Sequence, residues 1–219
     1  MRSARIMLAQ VLFLAMLIML SQRPVHAGVV AGSISLDTSA LSGTFEIAFV
    51  FTDGSGTGDA NNSVTLGNFG FGGGSAGSVD PLLTTGGASG DLSSSMVLID
   101  SAFLSIAAAF FDPGAVFSFD FALTTNVDAG GTPDAFSMVL LRGDGSVVAT
   151  ADPSGADALL TLNVDSAQPG FNAFASELSP APVVTPSVVP EPSTMLLFAL
   201  AFCGMVVSVA TRWSDVPAA

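Results

Sequence analysis

Residues able to do chemistry gather in one short stretch, Asp53-Gly54-Ser55-Gly56-Thr57-Gly58-Asp59-Ala60-Asn61-Asn62. Asp53, Asp59, Asn61 and Asn62 offer hard oxygen atoms on a glycine-rich loop, a donor set that suits Ca²⁺. The spacing is not that of an EF-hand loop, which closes on a Glu at its twelfth position. An acidic solvated turn is the plainer alternative, and a calcium-dependent melting temperature separates the two. Beyond oxygen the inventory is narrow. From Gly28 to Val189 there is no His, Cys, Lys, Tyr or Trp. That removes imidazole and thiolate metal sites, Cys nucleophiles, Schiff-base lysines and any Ser–His triad. Two-carboxylate glycoside hydrolysis survives on inventory alone. Most Asp residues, however, fall in turn signals, and the Trp and Tyr rings on which sugars usually stack are missing. The expectation is a body without enzymatic activity and without a cofactor other than this calcium candidate.

The two ends carry signals of another kind. Arg2 and Arg5 precede an apolar run from Ile6 to Leu20, followed by a short polar exit ending Val25-His26-Ala27. This is the order of a cleavable signal peptide over residues 1–27, with signal peptidase expected to cut between Ala27 and Gly28. At the other end, Pro190-Glu191-Pro192 is followed by the apolar run Met195 to Ala210 and then Arg212. At 1.5 Å per residue that run reaches about 24 Å. This is a little short of a hydrocarbon core of roughly 30 Å, so bilayer thinning or headgroup contacts from Arg212 and Trp213 must make up the difference. A transmembrane helix over 195–211 is expected, with Arg212 as the cytoplasmic stop under the positive-inside rule. Cys203, the chain's one cysteine, lies inside this run and reads as a small apolar residue.

Val189-Pro190-Glu191-Pro192-Ser193, the apolar helix and the terminal basic residue together resemble the PEP-CTERM sorting signal, here over residues 190–214. The resemblance implies processing near Pro190, Glu191 and Pro192 by an exosortase, a membrane-embedded cysteine transpeptidase of Gram-negative bacteria. It also implies an itinerary: export, anchoring in the inner membrane by the C-terminal helix, then release to the cell envelope or the extracellular space. Many bacteria with such proteins make exopolysaccharide. One departure is that the family tail usually ends in several basic residues, whereas Arg212 stands alone here.

Charge narrows the partners of the body. All 18 acidic residues except Glu191 and Asp215 lie between Gly28 and Val189, opposed there by Arg142 alone. Such a surface repels nucleic acid, whose binding needs Lys and Arg to displace counterions. It equally disfavours contact with anionic headgroups. With no Cys in the body, no disulfide supports the fold, and stability must come from core burial.

The elements that would position these residues are strands. Phe45, Ile47, Phe49 and Phe51 fall on one face at period two, as do Ala115, Phe117, Phe119, Phe121 and Leu123. Further strands are expected at 29–36, 63–71, 96–100, 103–110, 136–142, 146–150 and 159–164. Turn clusters separate them, among them Asp53-Gly54, Asp112-Pro113-Gly114, Gly143-Asp144-Gly145 and Asp152-Pro153-Ser154-Gly155. The pattern predicts an all-β fold, an antiparallel β-sandwich of jelly-roll type spanning 28–178. It is flanked by the signal-peptide helix and the C-terminal transmembrane helix. Residues 67–90, rich in Gly and Ser, read as a long loop. Residues 179–189, rich in Pro, read as an extended linker. The sequence of features in the body is similar to that of a β-rich subgroup of PEP-CTERM proteins, which implies a fold and no activity. Two roles remain open: a structural protein of the envelope or biofilm matrix, or a glycan-binding module for exopolysaccharide. The Phe residues at inward positions lean toward the first.

Overall fold

Alternation at period two forms strands where the sequence places it. The structure, a computed structural model, describes residues 28–56, 58–126, 132–164 and 170–187. Within them run β1 (Gly28–Asp37), β2 (Phe45–Thr52), β3 (Ser63–Gly70), β4 (Ser75–Val79), β5 (Gly87–Gly90) and β6 (Ser95–Ile99). There follow β7 (Leu104–Asp112), β8 (Val116–Thr125), β9 (Ala135–Arg142), β10 (Leu160–Asn163), β11 (Phe171–Ala173) and β12 (Val183–Ser187). All lie in the first of the two units into which the chain divides, Met1–Val188. The described residues contain no helix, and hence none long and apolar enough to cross a membrane. The expected signal peptide and C-terminal transmembrane helix lie outside the described residues.

The strands make two antiparallel sheets, ordered β12-β1-β8-β3-β6-β5 and β11-β10-β9-β2-β7-β4. Their pairing is nested: β1 with β8, β2 with β7 and β3 with β6. The chain thus folds back on itself as one long antiparallel ribbon before β9 to β12 extend the edges. Where β3 meets β8 the register shifts between Gly67 and Gly70. Asn68 sits there at φ 53°, its side-chain amide donating to Asp120 Oδ2 at 2.7 Å. An Asn tolerates this left-handed backbone, and the bulge bends the strand.

One core joins the sheets. Phe45, Ile47, Phe49 and Phe51 of β2 are buried, as are Phe117, Phe119, Phe121 and Leu123 of β8. Phe49 meets Phe119 edge-on, their centroids 5.1 Å apart, and Phe111 meets Phe117 at 5.0 Å. Phe121 meets Phe171 at 5.6 Å. Each pair has one ring from either sheet, so the inner faces interdigitate in a sandwich-like layer. Edge-to-face ring pairs add about 0.5–1.5 kcal/mol each beyond burial.

Three stretches differ from expectation. Within 67–90, read as a loop, β4 pairs with β7 and β5 pairs with β6. Ser-Ala-Gly-Ser-Val and Gly-Ala-Ser-Gly carry no hydrophobic period, so backbone pairing alone defines these edge strands. Residues 146–150 make only isolated bridges, Leu141 with Val147 and Thr150 with Ser176. The predicted turn at 143–145 does form, with the Gly145 N–H donating to the Arg142 carbonyl at 2.8 Å. Finally, Val183–Ser187 of the Pro-rich stretch pairs with β1 instead of standing free. Pro186, which lacks an N–H, is tolerated because β12 is an edge. Opposite it is Gly32, where a Cβ would lie 2.5 Å from the Thr185 carbonyl oxygen and 2.9 Å from the Phe121 ring.

Two substitutions test this packing. Phe49→Ala should cost about 3–5 kcal/mol in a urea titration, because it removes the ring linking both sheets. Gly32→Val should cost about 2 kcal/mol and raise amide exchange at 183–187 selectively, since its branched side chain drives β12 off β1.

Candidate functional site

The loop singled out by its oxygen donors connects β2 to β3, and the structure gives its members different tasks. Asp53 is fully buried, and it ties the loop to itself. Its Oδ1 accepts from the Ser55 hydroxyl at 2.7 Å and the Gly56 N–H at 2.9 Å, while Oδ2 accepts from the Gly58 N–H at 2.5 Å. Burial opposes its charge, but these hydrogen bonds outweigh burial and hold the carboxyl below its ordinary pKa. Asp53 is therefore a loop knot with its oxygens already used. Asp59 is exposed and accepts from the Asn61 side-chain amide at 3.0 Å. Between them and Asn61, Ala60 takes a left-handed backbone, φ 58°, that a residue with a Cβ rarely adopts.

Asn62 reaches beyond the loop. Its backbone N–H donates to Asp100 Oδ2 at 2.9 Å, and its side-chain amide donates to Asp134 Oδ2 at 2.8 Å and to the Asn126 carbonyl at 2.9 Å. Its own Oδ1 accepts from the Asn126 N–H at 2.6 Å. Asp134 Oδ1 accepts from the Gly54 N–H at 2.8 Å. A side chain at Gly54 would strike the Thr132 carbonyl, so the glycine permits this close approach. Four segments thus converge at one pole: the loop after β2, the residues after β6, Asn126 after β8, and Asp134 before β9.

Asp100 and Asp134 are the residues that sequence reasoning missed. Both are buried, and Asp100 Oδ1 has no hydrogen-bond partner. Burial pushes the Asp100 carboxyl well above its ordinary pKa; the Asn62 N–H opposes this, and the charges of Asp134 and Asp59 reinforce it. No sequence window contains positions 59, 100 and 134 together, so only the fold could bring them together. Among the described residues, no three Asp, Glu, His or Cys side chains are grouped so as to hold a metal as they stand.

A second buried acid lies on the other sheet. Glu46 of β2 is 2% exposed, flanked across the ladder by Phe110 and Leu141, and its Oε1 has no partner. Burial, then the charge of Asp80 and a hydrogen bond with it, raises its pKa to about 7. The acids of the turns behave oppositely. Asp37, Asp91 and Asp144 each accept from a Ser hydroxyl and N–H two residues on, and their pKa values are lowered by those bonds.

Among the other expected site residues, Gly28 opens β1 opposite Thr125. Ala27, Pro190, Glu191, Pro192 and Arg212 lie outside the described residues.

The sign of the Glu46 effect follows from its raised pKa. The folded state holds a proton that the unfolded chain has released, so this contribution is intact below about pH 4.5 and lost as pH rises through 7. Glu46→Gln should therefore stabilise the protein at pH 8 by about 2 kcal/mol, a figure reduced for solvent screening at the sheet's outer face. The gap between variant and wild type should close below pH 4.5, as read from urea midpoints across the pH range.

No curated protein and no solved structure matches the chain. A family model does match, over residues 188–212, and its description is the PEP-CTERM protein-sorting motif. The last described strand ends at Ser187, so the matched segment begins at the very next residue. The segment that follows the β-rich body thus carries a PEP-CTERM protein-sorting motif over residues 188–212.

Proposed function

We propose that this is an exported protein, delivered by an N-terminal signal peptide, held in the inner membrane by its C-terminal helix and processed there by an exosortase. Its destination is the cell envelope or the extracellular matrix. The observation that carries this reading is the sorting motif at 188–212, placed directly after the body's last described strand. Pro190, Glu191 and Pro192 are the recognition residues and Arg212 the membrane stop.

The body's role in this proposal is structural and non-catalytic, and its wiring is that of a jelly roll. The nested pairs β1–β8, β2–β7 and β3–β6 support that wiring. The residue inventory supports the absence of catalysis, since from Gly28 to Val189 no His, Cys or Lys is present to act as base or nucleophile. Among the described residues Phe103 is the one strongly exposed Phe, at 62%. A single ring is a poor platform for a polysaccharide, which favours the structural role over glycan binding.

Mass spectrometry of protein recovered from its own cells tests the itinerary. The mature chain should begin at Gly28 and end near Pro190, and Glu191→Ala should leave the C-terminus intact at Ala219. An intact Ala219 in the wild type would overturn exosortase processing. Saturable binding of the host's own exopolysaccharide to the purified protein would overturn the structural role.

A further inference from the structure

The loop between β2 and β3 carries a pattern that neither its turn chemistry nor the sorting motif uses. Of the six asparagines in the chain, Asn61 is the one followed two places on by Ser or Thr, in Asn61-Asn62-Ser63. Asn-X-Ser with X other than Pro is the acceptor signature for an N-linked glycan on a surface loop of an exported protein. The fold puts these residues where that chemistry needs them. Asn61 is half-buried at the end of the loop, directly after exposed Asp59 and Ala60. Its side-chain amide donates to Asp59 Oδ2 at 3.0 Å in a surface hydrogen bond. Ser63 opens β3, and because Val64 and Leu66 are buried in the core, Ser63 and Thr65 stand on the strand's outer face. The acceptor nitrogen and the hydroxyl that completes the signature therefore both lie at the surface. A loop brace alone accounts for the Asn61 carbonyl, which accepts from the Asn126 side-chain amide, and not for Ser63.

We propose that Asn61 is a glycosylation site that takes an oligosaccharide from a lipid diphosphate donor, with Ser63 as the recognised hydroxyl and Asp59 as a positioning residue. The transfer joins Asn61 Nδ2 to the anomeric carbon of the sugar. The bond from that carbon to the phosphate oxygen breaks, the lipid diphosphate leaves with the electron pair, and one amide proton passes to a base. An amide nitrogen is a poor nucleophile, because its lone pair is shared with the carbonyl. A carboxylate that accepts from its N–H returns density to the nitrogen and fixes the side chain's direction, and Asp59 is so placed. The second N–H survives the transfer, so the same bond can hold the glycosylated side chain. Asn62 is tethered on the other side, to Asp100 by its backbone and to Asp134 by its side-chain amide. The inference rests on the export reading, since this signature is used on chains that have crossed a membrane.

Mass spectrometry of the protein recovered from its own cells tests this on the chymotryptic peptide that follows Phe51. The wild type should carry a sugar increment on Asn61. Asn61→Gln and Ser63→Ala should each lose it, while Ser63→Thr should keep it. Asp59→Ala should lower the occupied fraction and Asp59→Glu should restore it, a readout that loop stability alone does not set. Where Asn61→Gln fails to accumulate, Ser63→Ala carries the test. The hydrogen bonds to Asp59, Asp100 and Asp134 come from Asn61, Asn62 and Gly54, not from Ser63. A bare Asn61 on chains that begin at Gly28 would overturn the proposal, as would an increment that survives Ser63→Ala. Equal occupancy in Asp59→Ala and the wild type would remove Asp59 from the site. Chains that keep Met1 would overturn the export reading, and this inference with it.

Discussion

The contact between Phe49 and Phe119 is where the two sheets become one body. Each ring belongs to a strand inside its own sheet: β2 lies between β9 and β7, and β8 between β1 and β3. No disulfide can assist, because Cys203 is the chain's only cysteine and lies beyond the body. Aromatic burial must therefore supply the cohesion that small exported domains often take from cross-links. Phe suits this better than Tyr or Trp, since a ring with no polar atom needs no partner in a dry core. The nested ladder makes the requirement stricter. Pairing β1 with β8 closes a loop of most of the body, and that entropy is repaid only when the rings of β8 meet those of the opposite sheet.

That dependence explains what the sequence reveals and what it conceals. The inward faces of β2 and β8 were legible because a Phe at every second position has no other use than one apolar face. Edges were not legible. β4 and β5 are built of Ser, Ala, Gly and a single Val, and β12 contains a proline, so each is a strand only because a neighbour offers it a ladder. The acidic pole divides the same way. Asp53, Asp59, Asn61 and Asn62 stand within ten residues and announce a loop. Asp100 and Asp134 arrive from the ends of other strands, and nothing in their local sequence distinguishes them from turn acids.

The acids therefore form two populations with opposite electrostatics. In the turns at Asp37, Asp91 and Asp144, a carboxylate accepts from a nearby Ser and keeps its charge easily, with its pKa lowered. Those groups favour the folded state above the ordinary carboxylate range and lose that advantage in acid. Glu46 and Asp100 sit where charge is costly, and their pKa values are raised. Among the described residues, local N–H and hydroxyl donors satisfy many of the carboxylates, which eases the crowding of acids around one body cation. The exceptions stand out as sites where something other than turn formation keeps the acid.

The last strand bears on the sorting motif more directly than any other element. β12 pairs with β1 from Val183 to Ser187, and the motif match opens at residue 188. In the sequence Pro190 follows Ser187, the last residue of β12, by three positions. The stretch that reads as a free Pro-rich stalk is thus partly absorbed into the sheet. Five residues on an edge, with Val183 64% exposed, make peeling inexpensive compared with opening the Phe core. The edge strand that the sequence hides is therefore the part of the body that the Phe core secures least.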